Sequence, residues 1–166
     1  MFHFLHNKQS GYSLLELVIY IGLFAVIAVV IIRSLVVTMK TYANAQSYRR
    51  LQNNGELVME RIVREVRASE SVSSGTYNTH PGALTLSQNT SGVEESVGFS
   101  VANNKVQVTV EGVTTTLSTD QVQVSNLVFR SFVTPHSSGI KTELTLTTTS
   151  APIVSATFYS TTLLRK

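Results

Sequence analysis

The chain has 166 residues, a net charge of +3, and only 14% charged residues against 43% hydrophobic ones. It contains no cysteine, which excludes a disulfide framework and a thiolate metal site. Its basic cluster, Arg49, Arg50, Arg61, Arg64 and Arg67, is interleaved with Glu60 and Glu65, a pattern that argues against a nucleic-acid footprint.

Residues 1–10 carry Lys8, His3 and His6 and no acid, so they have the character of a short basic leader. A secretory signal would place a small-x-small cleavage site after its apolar core, and none follows here; the glycine break, Gly11, precedes the apolar run instead. From Tyr12 to Ile32 there are 21 residues, among which Glu16 is the one strongly polar side chain. As a helix this run is about 32 Å long, enough to cross a hydrocarbon core of about 30 Å. A carboxylate at the centre of such a helix costs about 2.5–3.5 kcal/mol and less near its end, so Glu16 needs a reason to be there.

No proline interrupts the chain before Pro81. Val58, Ile62 and Val66 recur every fourth residue, flanked by Leu51, Met59 and Val63, which is a stripe at helical period. Glu60–Arg64 and Arg61–Glu65 stand at i,i+4 on the other faces and are expected to be solvated. Asn53-Asn54-Gly55 is the weak stretch, because glycine costs about 1 kcal/mol against alanine in a helix interior. One helix is expected from about Tyr12 to Ala68.

Residues 69–82, with Ser71, Ser73, Ser74, Gly75, Asn78 and Pro81, have the composition of a linker. Beyond them the period changes to two. Ala83–Ser87 alternates and leads into a polar turn over 88–92, and Ser96–Val101 alternates weakly. Asn103-Asn104 and Glu111-Gly112 are two-residue hairpin connections on either side of Lys105–Val110. Val122–Val133, Ile140–Thr149 and Ile153–Leu164 read as longer strands. Six or seven hairpin-linked strands imply an antiparallel sheet with one face covered, and the Val58/Ile62/Val66 stripe is the helical surface that can cover it. The fold class is α+β.

Gly11-Tyr12-Ser13-Leu14-Leu15-Glu16, followed by an apolar run and a helix-then-sheet layout, resembles the class III signal of type IV pilins and pseudopilins. Leu57–Ala68 is similar to the corresponding helix of minor pilins of the PilW type and of J-type minor pseudopilins of type II secretion. The resemblance implies a pilin-like fold and a division into a leader over 1–11, a transmembrane and assembly helix over 12–32, its amphipathic continuation over 33–68, a linker over 69–82 and a β-sheet domain over 83–166. It implies cleavage between Gly11 and Tyr12 by a prepilin peptidase and N-methylation of Tyr12. Glu16 is then the assembly residue, attracting the charged amino terminus of a neighbouring subunit or of its own chain. Implied partners are the peptidase, other pilin or pseudopilin subunits and an inner-membrane assembly platform. The implied location is a single membrane pass with the leader inside and the β-domain outside, then an extracellular or periplasmic filament. Two departures stand out: the Pro that many major pilins carry in or just after the membrane segment is missing, and so is the disulfide of many Gram-negative major pilins.

No catalytic or cofactor chemistry is expected. His80 and His136 sit in proline-containing loops without partners at ligand spacing, and Glu94-Glu95 with Asp120 matches no calcium loop. After Ser69 the basic residues are Lys105, Arg130, Lys141, Arg165 and Lys166 against six acids, so no DNA-binding strip is visible. The expected function is a pilin-like structural subunit of a type IV pilus or a secretion filament. A DNA-uptake pseudopilin and a signal-anchored binding domain that never polymerises are the alternatives.

Overall fold

A computed structural model of the chain describes residues 13–90 and 92–165. The leader over 1–11 and the Gly11–Tyr12 junction lie outside the described residues. The chain separates into two units, Met1–Tyr42 and Ala43–Lys166.

Helix α1 spans Leu14–Ala68, 55 residues without a break. Its first part, up to Tyr42, buries nothing: Leu17, Phe24 and Ile32 are each more than half exposed. Valine and isoleucine fill this part despite their modest helix propensity. A helix that is apolar on every side is stable where its surroundings are apolar and every backbone group must be paired internally.

Within the second unit the same helix has one buried line: Ser47, Leu51, Asn54, Gly55, Val58, Met59, Ile62, Glu65 and Val66. Leu51, Val58, Ile62 and Val66 are at most 1% exposed, and each such side chain contributes about 1.5–3 kcal/mol of burial. The Asn53-Asn54-Gly55 stretch does not break the helix. A Cβ at Gly55 would collide with the tip of the Phe158 ring, so the missing side chain makes room for that aromatic. Asn54 turns its carboxamide to use at both ends. Its Nδ2 donates to Arg50 O at 2.8 Å, and its Oδ1 accepts the Thr119 N–H at 3.0 Å.

Eight strands follow among the described residues, β1 (Ser71–Thr76), β2 (Ala83–Thr90), β3 (Val93–Ala102), β4 (Lys105–Val110), β5 (Val113–Thr116), β6 (Val122–Val133), β7 (Ser138–Thr148) and β8 (Ser155–Leu163). They form two antiparallel sheets, β1-β2-β3-β4-β5 and β6-β7-β8, where the alternation alone implies one. The two hairpin turns read from the sequence are present. Asn103 and Asn104 have φ of 52° and 58°, and Glu111 and Gly112 have 49° and 85°, the left-handed pair that a type I′ turn requires.

The expected linker holds a strand. Ser71–Thr76 pairs with β2 across a bulge between Val72 and Ser74. The pairing uses backbone groups, and in the strand only Val72 is partly buried, so no apolar alternation announces it. The expected turn over 88–92 is shorter than its composition suggests, because β2 runs on to Thr90.

Leu84 faces Phe99, Leu86 faces Val97, and Phe99 faces Val108 in the first sheet; Leu127 faces Leu144 and Leu144 faces Phe158 in the second. A bulge between Val124 and Asn126 inserts Ser125 and reverses the parity of β6. Val122 and Val124 before it, and Leu127 and Phe129 after it, therefore all reach one core, which they share with the α1 stripe. Residues 77–82 cover the edge of β6. Asn78 N–H donates to Phe129 O and Gly82 N–H to Leu127 O, each at 2.9 Å, while His80 Nδ1 accepts the Leu127 N–H at 3.0 Å. His80 lies exposed in its loop and at the same time caps the edge of β6 through this bond.

Candidate functional site

Of the residues singled out in the sequence, Glu16 is described and Gly11 and Tyr12 are not. Glu16 lies in the first turn of α1, where a negative charge is favourably placed against the helix dipole. It is half-buried, among neighbours that are exposed. One turn on, the Tyr20 hydroxyl donates to Glu16 Oε1 at 3.2 Å. From Leu14 to Ile32 these are the only two polar side chains, and they are bonded to each other. The i,i+4 spacing that brings them together is visible in the sequence, but beside a carboxylate a tyrosine reads as one more large apolar residue. By length and composition α1 can cross a membrane, and its most apolar stretch is wholly unburied.

Among the described residues of the second unit, three charged side chains form polar ties: Glu65, Asp120 and Glu143. At the end of α1, Gln88 Nε2 donates to Glu65 Oε2 at 2.8 Å and to Glu65 O at 3.2 Å. Arg61 Nε lies 2.9 Å from Glu65 Oε1, a charge contact without hydrogen-bond geometry. Glu65, expected on a solvated face, is therefore a buried tie between the helix and β2, and the Gln88 carboxamide also satisfies the Glu65 carbonyl near the helix end. Arg165 N–H donates to Ser69 O at 2.9 Å and fastens the chain end just beyond the helix.

The second cluster is Lys105 with Asp120, joined by an ion pair and hydrogen bond. The Lys105 ammonium, by hydrogen bond first and by charge second, holds the Asp120 carboxyl below the usual aspartate range. The third is Glu143, which accepts from Asn126 Nδ2 at 3.0 Å and from Arg130 Nη1 at 2.9 Å.

A cleft of about 220 Å³ is lined by Val72, Tyr77, Phe132, Ile140 and Leu164 among others. A second, of about 380 Å³, shares Glu70, Val133, Ser138 and Leu164 with it and adds His136 and Arg165. Among the described residues, no group of three or more His, Asp or Glu could hold a metal ion. Asp120 is taken up by Lys105, and Glu94 and Glu95 stand opposite Asn89 and Gln88 on neighbouring strands.

Residues 6–32 match the prokaryotic N-terminal methylation motif. The match spans Gly11, Tyr12 and Glu16 and ends at the last residue of the apolar run. No curated protein and no solved structure matches the chain.

Proposed function

We propose that the chain is a pilin-like subunit of a type IV pilus or a related secretion filament, anchored in the membrane by the first part of α1 before assembly. The observation that carries this reading is the coincidence of the methylation motif over 6–32 with a helix whose apolar residues are left unburied. Both support a pilin-like subunit processed by a prepilin peptidase. In this reading the peptidase cuts between Gly11 and Tyr12. Glycine suits the position because it offers no side chain to a site that must grip extended backbone. Tyr12 becomes the methylated amino terminus, and Glu16 becomes the fifth residue of the mature chain.

Glu16 then has a chemical role. A carboxylate in apolar surroundings gains most from a cation that arrives with the next subunit, since pairing offsets the burial that an isolated charge cannot recover. The subunit is a minor component, a reading supported by the similarity of Leu57–Ala68 to minor pilins and pseudopilins. The platform and the other subunits act on α1, with the leader inside and the β-sheets outside. The second unit serves as a structural head and not as an enzyme.

The test is production with and without a prepilin peptidase, followed by mass spectrometry of the intact chain. Loss of residues 1–11 and addition of one methyl group, both dependent on the peptidase, are expected. An unchanged mass in both hosts refutes the reading and leaves a signal-anchored domain that never polymerises.

A further inference from the structure

We propose that Tyr20 is a positioning residue for Glu16: it holds one carboxylate oxygen so that the other is presented to the cationic amino terminus of the neighbouring pilin-like subunit. The proposal rests on the pilin-like reading above and adds to it the residue that prepares the assembly contact.

The geometry is simple. Tyr20 Oη donates to Glu16 Oε1 at 3.2 Å across one helical turn. Between Leu14 and Ile32 no other side chain carries a hydrogen-bonding group. In hydrocarbon an unpaired phenol is costly and an unpaired carboxylate more so, and each removes part of the other's deficit. The bond also selects a carboxylate orientation from the several that a free glutamate samples, so less freedom is lost when a partner binds.

A carboxylate offers about four acceptor sites and Tyr20 uses one, which leaves Oε2 for an incoming ammonium. The ring itself is 55% exposed, so packing against the rest of the described chain does not account for it. At 3.6 residues per turn, Ala25 falls on the side of the helix opposite Glu16. The narrow surface around Gly22, Ala25 and Ala28 and the Glu16–Tyr20 pair therefore serve different neighbours.

The test uses the full chain with its assembly machinery and compares wild type, Tyr20→Phe, Glu16→Gln and the double variant. The readout is the amount of chain in the sheared filament fraction divided by processed chain in the membrane, which removes differences in insertion and cleavage. Tyr20→Phe is expected to lower this ratio about tenfold, the scale of one hydrogen bond to a charged group. Glu16→Gln should lower it at least as far, and adding Tyr20→Phe to Glu16→Gln should then change it by less than about twofold.

A wild-type ratio in Tyr20→Phe overturns the proposal; if Glu16→Gln is still defective, the pilin-like reading survives that loss. An equal drop from Tyr20→Phe in both backgrounds shows that the hydroxyl does not act through Glu16 and also overturns it. Wild-type assembly of Glu16→Gln removes the role of Glu16 itself and takes the proposal with it. Tyr20→Trp, which keeps a ring N–H donor, is expected within about threefold of wild type, and a loss as deep as that of Tyr20→Phe counts against the proposal.

Discussion

Replacing Gly55 by alanine sets two opposed effects against each other. In a helix interior alanine is about 1 kcal/mol more favourable than glycine. At this position, however, the new Cβ would sit inside the reach of the Phe158 ring, with even the farthest of the three ring-tip carbons only 2.6 Å away. Ordinary contact begins well beyond that, and the ring is held on β8, where Phe158 stands opposite Leu144. Overpacking of this kind costs about 1–3 kcal/mol, and so close an approach belongs at the upper end, leaving a net loss of about 1–2 kcal/mol. In a Phe158→Leu background the ring tip is gone, and the same Gly55→Ala change should stabilise by about 1 kcal/mol. The sign should therefore reverse between backgrounds, with a coupling of about 2–3 kcal/mol. Urea denaturation of the full chain in detergent micelles, followed by tyrosine fluorescence, measures all four stabilities. A Gly55→Ala variant as stable as wild type, or the same sign in both backgrounds, would refute the steric account of why glycine occupies this helix.

Two further outcomes follow from the polar clusters. Gln88→Leu removes both hydrogen bonds to Glu65 while Glu65 stays 9% exposed, so the same denaturation should show a loss of about 1–3 kcal/mol; an unshifted midpoint means that the tie is not formed. The Asp120 carboxyl, held low by Lys105, has a folded value below its unfolded one. The stabilisation it brings is complete above the unfolded value and disappears as pH falls through the folded value. Lys105→Met should move the Asp120 titration, followed by carboxyl NMR, upward to the ordinary aspartate range, and a titration that stays put contradicts the contact.

Where a feature depends on side-chain period or turn chemistry, it was legible in the sequence. The Val58/Ile62/Val66 stripe, the turns at Asn103-Asn104 and Glu111-Gly112, and the three long strands at the C-terminal end all belong to this kind. Features that depend on which backbone meets which were not. Strand β1 is held by pairing with β2, and its serines carry no face to read. Alternation assigns residues to faces but not strands to sheets, so the division into two sheets and the parity switch at Ser125 stayed hidden. At the candidate site the same split appears. Glu16 stands out because a carboxylate is costly in an apolar run, whereas its partner Tyr20 is ordinary until the i,i+4 contact is seen. Glu65 was misplaced for a similar reason, since it meets a group distant in sequence, the Gln88 carboxamide, and the bond from the Leu127 N–H to His80 was hidden in the same way.

The contact between Gly55 and Phe158 also has a bearing on timing. It joins the first described element to the last described strand, and the Arg165–Ser69 bond links the residues just beyond those two elements. The helix stripe thus gains this partner only after β8 has been made. Contacts so distant in sequence are slow to form, and loops of this length must close before they are rewarded. Until then the buried line of α1 is exposed, and a chain stalled or shortened before β8 would present that line to proteases and to other unfinished chains. The packing of the second unit is therefore completed only when β8 takes its place against Gly55.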